Sequence, residues 1–297
     1  MEKVSFYDQI EKNKRDSLLL MLGVFVFLLA FAWLIGELYD PAVAFLFLFI
    51  ALIITLLHIF ISYNYGDIIV LSSVNARPAD EREHIYLINT VEGLAIAAGI
   101  PTPKVYVIDS PEMNAFATGK DPQHASIAVT TGLLENLNRK ELEGVIGHEM
   151  SHIKNYDIRF ATLVAVLVGI VAIMSHMLLR TYRFGGGRRD SRKGEMGVII
   201  LIGFLLAILA PVFTRLVQAM ISRKREYLAD AGSAELTRYP EGLASALEKI
   251  KNINTGKMPV SEAVSHLFFV DPTRTALDSM FATHPPIEKR IEILRSM

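Results

Sequence analysis

The stretch Gly147-His148-Glu149-Met150-Ser151-His152 carries the pattern H-E-x-x-H in a segment whose residues favour a helix. Residues four apart lie on one face of a helix, so His148 and His152 can present both imidazoles to one metal ion. Glu149 lies beside that face, where its carboxylate can serve as a general base. The stretch predicts the central helix of a zinc hydrolase. It fixes only three positions, however, and two ordinary histidines beside a solvated glutamate would also satisfy it.

The composition indicates a membrane protein without thiol chemistry. Of the 297 residues, 52% are hydrophobic and 21% are charged, and the mean hydropathy is +0.35. Those values are unusual for a soluble enzyme. The formal net charge of -1 gives no basic field that would favour nucleic acid as a partner. Because the chain has no cysteine, any zinc must be held by histidine and carboxylate side chains.

Four apolar runs predict transmembrane helices. The first two, at about 18–36 and 41–63, are separated by a short polar loop, which favours a transmembrane hairpin over a signal peptide. The runs at about 160–179 and 197–214 are also long enough to cross. The loop between them is rich in arginine, so a hairpin that is buried without crossing is the alternative.

These runs divide the chain into four parts. They are an N-terminal transmembrane hairpin at 1–66, a first protease part at 67–159, a second hydrophobic hairpin at 160–214 and a second protease part at 215–297. Basic residues precede the first run and are absent from the loop that follows it. The positive-inside rule therefore predicts that the N-terminus and both protease parts face the cytoplasm.

Periodicity and stop signals predict an α+β protease domain with a small sheet. The predicted elements are a helix at 80–98, strands at 104–109, 114–119 and 126–131, the motif helix at 138–157, and helices opening near Pro240 and Pro286. Asn138 is expected to cap the motif helix. His84, His124 and His266 show no ligand pattern and are expected at the surface.

A catalytic zinc ion needs a third protein ligand, and Glu226 is the candidate. It lies in a predicted helix, and Asp230 follows four residues later on the same face, where it can orient a metal-bound histidine. Asp157, at the end of the motif helix, can act in the same way. Spacing alone leaves open that Glu226 is an ordinary salt-bridge partner of the basic residues before it.

Four segments together resemble the HtpX family, membrane zinc metalloproteases related more distantly to the CAAX prenyl proteases of the Ste24 type. In chain order they are Pro111–Gly119, His148–Asp157, Glu226–Ala234 and Thr283–Pro286. The resemblance runs from the paired N-terminal spans to the last helix, which is nearly the whole chain. No catalytic position departs from the family pattern.

The resemblance implies a predominantly α-helical membrane protein with a thermolysin-like, or gluzincin, protease domain. It implies one zinc ion per chain, with Glu226 as the third ligand. It also implies that His284 donates a hydrogen bond to the oxyanion of the transition state, and that Asn114 faces the substrate. A helix-capping histidine and an ordinary turn asparagine are the alternatives for these two positions. The segment of Asn114 could pair with an extended peptide by strand addition.

The resemblance further implies a membrane-anchored endopeptidase that degrades damaged or misfolded membrane proteins in quality control and the stress response. Its expected location is the prokaryotic cell (inner) membrane, with several spans in the bilayer and the protease domain in the cytoplasm. An intramembrane protease of the site-2 type is one alternative, which the charges of Glu141 and Lys154 around the motif argue against. An inactive scaffold is the other, and the intact Glu149 argues against it.

Overall fold

The fold is given by a computed structural model in which residues 6–39, 41–166, 223–256, 258–272 and 285–297 are described. These residues are mainly helical and contain one small mixed sheet, which confirms the predicted balance of elements. Most of the third apolar run, all of the fourth and His284 lie outside the described residues.

Two long helices open the chain. Helix α1 (Phe6–Tyr39) and helix α2 (Ala44–Ser73) pack against each other as a hairpin. Their turn is tight, because a Cβ on Gly36 would lie 2.6 Å from the Cα of Ala44. Both helices are longer than the predicted apolar runs. The reason is that the flanking polar residues continue the same hydrogen-bonded helix. The apolar run gives only the length of helix that could lie in the hydrocarbon core of a bilayer.

Helix α2 has the dimensions of a membrane span. It has 30 residues, its most apolar stretch reaches a mean hydropathy of 2.9, and only 11% of that stretch is buried against the protein. Among the described residues it is the helix that meets both the length and the apolarity needed to cross a bilayer.

The sheet lies beside the motif helix and contains both parallel and antiparallel pairs. Its strands, in the spatial order β1-β2-β4-β3, are β1 (Arg77–Pro78), β2 (Lys104–Ile108), β3 (Ala115–Gly119) and β4 (Ala125–Thr130). Strands β2 and β4 are parallel, whereas β3 pairs antiparallel with β4. Strand β3 therefore forms one edge of the sheet, and it packs against the motif helix. The short β1 had no signal in the sequence.

The remaining helices surround the motif helix. They are α3 (Ile85–Ala98), α4 (Thr131–Asn136), the motif helix α5 (Arg139–Lys154), α6 (157–166), α7 (Arg223–Thr237), α8 (Pro240–Ile253), α9 (Glu262–Ser265) and α10 (Ile287–Arg295). Helix α3 begins five residues later than predicted, because Asp80 accepts hydrogen bonds from the next backbone amides and forms a turn. Helix α8 begins at Pro240 as predicted, since proline suits the first helical turn.

Helix α5 is fixed at its N-terminus and along its back. Asn138 caps it, and Glu141 completes a capping box as its carboxylate accepts the Asn138 amide. The same buried carboxylate accepts hydrogen bonds from Ser245 at 2.7 Å and Lys249 at 2.8 Å, both on α8. One turn further on, a Cβ on Gly144 would lie 2.6 Å from the backbone nitrogen of Leu243. Helices α5 and α8 are therefore in backbone contact.

This contact predicts that Gly144→Ala lowers the free energy of unfolding by about 1–3 kcal/mol, because the added methyl forces two helix backbones apart. Gly93→Ala is the matched control. Gly93 lies on the exposed face of α3 with nothing within 4 Å of an added Cβ, so this change should stabilise by about 0.5–1 kcal/mol. Denaturant unfolding of the detergent-purified protein measures both. Equal stability of Gly144→Ala and wild type would contradict the packing described.

Candidate active site

Two histidines on α5 form the base of the site. His148 and His152 lie one turn apart on a single face, with their Nε2 atoms 3.1 Å from each other. Their rings are edge to face, with centroids 4.7 Å apart. This is the arrangement that the H-E-x-x-H spacing predicts for a helix.

Glu226 reaches the same point from α7. Its carboxylate oxygens lie 3.7 Å from the Nε2 atom of His148 and 3.7 Å from that of His152. Helix α7 approaches α5 closely, and the Ser233 hydroxyl donates a 2.6 Å hydrogen bond to the Gly144 carbonyl oxygen. Within the described parts of the chain, these three side chains are the one group of His, Asp or Glu able to share a metal ion.

The ligand atoms fit a tetrahedral metal. A zinc site with bonds of about 2.1 Å has neighbouring ligand atoms about 3.4 Å apart. The three separations among His148, His152 and Glu226 are 3.1, 3.7 and 3.7 Å. Two imidazoles and one carboxylate are also a known donor set for catalytic zinc, with a fourth position left for water or substrate.

Two buried aspartates hold the histidines from behind. Asp230 lies 3.0 Å from the Nδ1 atom of His148, and Asp157 lies 3.0 Å from that of His152. A carboxylate at Nδ1 fixes the proton there and leaves Nε2 free to bind a metal. The structure thus brings both aspartates singled out in the sequence to the two histidines.

Arg290 is a site residue that the sequence analysis missed. It is fully buried on α10 and donates to both carboxylate oxygens of Asp230, at 2.9 and 2.7 Å. Its Nη1 atom also lies 3.8 Å from Glu226. One feature of the sequence could have indicated it: Arg290 interrupts the apolar helix face formed by Ile287 and Leu294. A charged residue on such a face is expected only when it has a buried partner.

The two histidines differ in their affinity for protons. Burial lowers the pKa of His148 to about 4, assisted by the positive charges of Arg290 and His152 and opposed by the hydrogen bond to Asp230. Burial also lowers the pKa of His152, but the hydrogen bond to Asp157 and the charge of Glu226 outweigh it and raise the value to about 9. A metal ion therefore competes with a proton chiefly at His152.

Glu149 lies beside the histidines, in surroundings that favour its protonated form. Its side chain is 2% exposed and lines the same cavity as both histidines. Burial raises its pKa to about 7, and the negative charge of Glu226 adds to that effect, while the charge of His152 and a hydrogen bond with the Ala117 backbone oppose it. A base with a pKa near the working pH transfers protons efficiently in both directions.

A cavity of about 50 Å³ joins these groups to strand β3 and α6. Leu267, Phe268 and Phe269 also line it, and the segment 267–270 that contains them runs against the start of β3. The Phe269 amide donates to the Ala115 carbonyl oxygen at 2.8 Å. Asn114 is buried there, donating to the Val270 carbonyl oxygen at 2.8 Å and accepting from the Val270 amide at 3.1 Å. Asn114 thus contacts backbone of its own chain, and its contact with substrate stays a prediction.

Two of the three unassigned histidines are not at the surface, so that prediction was wrong for them. His266 is 9% exposed, lines the cavity and lies 3.1 Å from the Ala161 carbonyl oxygen. His84 is buried and accepts the Asp80 amide. His124 is exposed, as predicted, beside Asp121. The contact of His266 with Ala161 joins segments 105 positions apart, which leaves no local pattern.

Curated relatives match the whole length of the chain. It is 45% identical to a protein described as a protease HtpX homolog of Dictyoglomus thermophilum, over 100% of this chain and 96% of that one. It is 44% identical to the protease HtpX homolog of Caldanaerobacter subterraneus subsp. tengcongensis, over 100% and 99% of the two chains. For the homolog of Streptococcus uberis the values are 44%, 98% and 99%.

A solved structure shares the fold. The crystal structure of Ste24p of S. mikatae aligns with a TM-score of 0.51 and 21% sequence identity, over 97% of this chain and 67% of that one. These two comparisons confirm the resemblance that the sequence motifs indicated. Residues 81–297, which include the three candidate ligands and the carboxylates around them, match peptidase family M48. The chain therefore belongs to peptidase family M48 and is a metallopeptidase.

Proposed function

We propose that this metallopeptidase is a zinc-dependent endopeptidase with a gluzincin active site. The observation that carries the proposal is the convergence of His148, His152 and Glu226 at separations suited to one tetrahedral zinc ion. Glu149 beside them is the expected partner for hydrolysis. The curated relatives are named proteases, which supports a peptide bond as the target.

Each residue has a distinct part in the proposed mechanism. Zinc, when bound, supplies Lewis acidity that polarises a carbonyl and acidifies water. Glu149 accepts a proton from the attacking water and delivers it to the departing amine. Asp157 and Asp230 hold the two histidines in the tautomer that binds metal. His284, outside the described residues, is proposed as a second donor to the developing oxyanion.

The substrate is proposed to bind as an extended strand. Strand β3 is an edge of the sheet and packs on α5 next to Glu149. An edge strand can bind a peptide through main-chain hydrogen bonds, which tolerate many side-chain sequences. Asn114, just before β3, is hydrogen-bonded to Val270. It would contact the substrate only if the segment 267–270 moved away from it. Such tolerance suits unfolded or misassembled membrane proteins.

The chain is proposed to be a multi-pass protein of the prokaryotic cell (inner) membrane, with four spans and the protease parts at 67–159 and 215–297 in the cytoplasm. The apolar surface of α2 supports the anchoring. The charge distribution around the first two runs supports the orientation. Degradation of damaged membrane proteins in quality control and the stress response is the proposed role.

The ligand assignment predicts that His148→Ala, His152→Ala and Glu226→Ala each lose stoichiometric zinc, because two remaining ligands hold the ion far more weakly. Glu235→Ala is the matched control, since Glu235 is exposed on the same helix α7. Elemental analysis of detergent-purified protein measures the metal content. Full zinc content in Glu226→Ala would show that another group supplies the third ligand.

The mechanism predicts that Glu149→Gln keeps zinc but lowers kcat by about 10²–10⁴-fold, because the base is lost and the ligands are not. His284→Ala should also keep zinc and lower kcat, by about 10²–10³-fold, with KM within a few-fold. Hydrolysis of an unfolded protein and the zinc content of each variant test both. Substantial turnover by zinc-loaded Glu149→Gln would contradict the mechanism, and full kcat with a lower Tm would make His284 a structural residue.

The proposed topology predicts which positions are accessible from outside intact cells. The native chain has no cysteine, so Tyr39→Cys and Gly186→Cys should both react with an impermeant thiol reagent added outside. Glu92→Cys, on the exposed face of α3 in the cytoplasmic part, is the control and should react only in opened cells. Reaction at Tyr39→Cys alone would indicate that the second pair of runs does not cross. Outside labelling of Glu92→Cys would contradict the orientation.

A further inference from the structure

Asn13 connects the N-terminal helix directly to the metal site. It lies on α1, five residues before the first apolar run, and its side chain is 0% exposed. Its Nδ2 atom donates to the Asp157 carboxylate at 2.6 Å and to the Asn155 carbonyl oxygen at 2.9 Å. Asn155 lies in the turn between α5 and α6, and Asp157 is the first residue of α6; both are more than 140 positions away in the sequence.

Asp157 divides its two carboxylate oxygens between Asn13 and the metal site. One oxygen lies 3.0 Å from the Nδ1 atom of His152. The other accepts from Asn13 and lies 3.9 Å from the Arg225 Nε atom. A carboxylate held at one oxygen cannot rotate freely at the other, so the position of Asn13 is transmitted to the His152 ring.

We infer that Asn13 is a positioning residue of the active site, which orients Asp157 against His152 and so makes helix α1 part of the support of the metal. The inference rests on the proposed zinc site and adds a residue to it. Nothing in the H-E-x-x-H motif or around Glu226 requires a contribution from the N-terminal helix.

The chemistry of asparagine fits this position. Its amide nitrogen carries two hydrogens, one for each acceptor, and it adds no charge beside a buried carboxylate. Leucine, which has a similar volume, would leave the Asp157 oxygen and the Asn155 carbonyl oxygen without this donor. Aspartate would remove the donor and place a second negative charge against Asp157.

The rest of α1 holds Asn13 in register with the turn. The Lys14 ammonium lies 4.2 Å from the centre of the Tyr156 ring, next to Asp157. Further along α1, Leu20 and Val24 pack against Phe160 and its neighbours on α6. Tyr156 has a φ of 61°, a conformation that non-glycine residues adopt only when surrounding contacts hold it. Helix α1 supplies one such contact, through Lys14.

A double-mutant cycle on the full chain tests the inference. We would measure Zn²⁺ affinity by chelator competition, together with kcat, KM and Tm, for wild type, Asn13→Leu, Asp157→Asn and the double variant. Ser17→Ala is the matched control. Ser17 is buried one turn further along α1, and among the described residues its hydroxyl donates to the backbone oxygen of Asn13, so its loss should leave Zn²⁺ affinity unchanged.

If Asn13 acts through the Asp157 carboxylate, Asn13→Leu lowers Zn²⁺ affinity about tenfold and lowers kcat more than it raises KM. In the Asp157→Asn background the same change should then add less than about twofold. Unaltered Zn²⁺ affinity with a lower Tm would overturn the inference, and so would a full tenfold loss in the Asp157→Asn background.

Asn13→Asp is the second test variant, used if Asn13→Leu does not fold. It should lower Zn²⁺ affinity in the native background and lower it no further in the Asp157→Asn background, where the like charge is gone. An equal loss in both backgrounds would indicate simple packing and overturn the inference. Wild-type protein that bound no Zn²⁺ would overturn the proposed zinc site and this inference together. Zn²⁺ bound equally by wild type and the Asn13 variants would overturn only the inference.

Discussion

The close contact between α5 and α7 is the constraint on which the rest of the structure depends. The candidate ligand atoms come from two helices and must lie within about 4 Å of one another. Histidine and glutamate side chains are short, so the two helix backbones must themselves be close. Small residues permit this approach. A Cβ on Gly147 would lie 2.9 Å from the Ser233 hydroxyl oxygen, and Gly232 faces Ser151. The glycines therefore matter to the site although none of them touches a metal.

The charges of the site form alternating layers around the ligands. The histidines are backed by Asp157 and Asp230, and Asp230 is backed in turn by Arg290. Burial alone would favour neutral carboxyl groups, but Arg290 and His148 hold the pKa of Asp230 below its usual range. Removing one member of a buried ion pair typically lowers the free energy of unfolding by about 3–5 kcal/mol. These charged groups therefore contribute to stability as well as to metal affinity.

The N-terminal hairpin contacts residues around the candidate site. Helix α1 reaches the α5–α6 turn through Asn13, and α2 packs beside β3, with Gly66 against Thr162 of α6. Thr162 in turn bonds Thr118 on β3. These contacts connect both N-terminal helices to the residues beside the candidate site.

The sequence by itself determined the features that rest on local spacing. These include the motif helix with its Asn138 cap and the start of α8 at Pro240. Four motifs taken together indicated the family, and the family indicated Glu226 as the third candidate ligand, which spacing alone had left open. Only the tertiary structure decided the contributions of Arg290, Asn13 and His266, the short strand β1 and the contact of Asn114 with Val270. Periodicity and capping act within one or two helical turns, so they are legible in sequence. A buried pair such as Asn13 and Asp157 is specified by the packing of segments more than 140 residues apart, and no spacing rule encodes it.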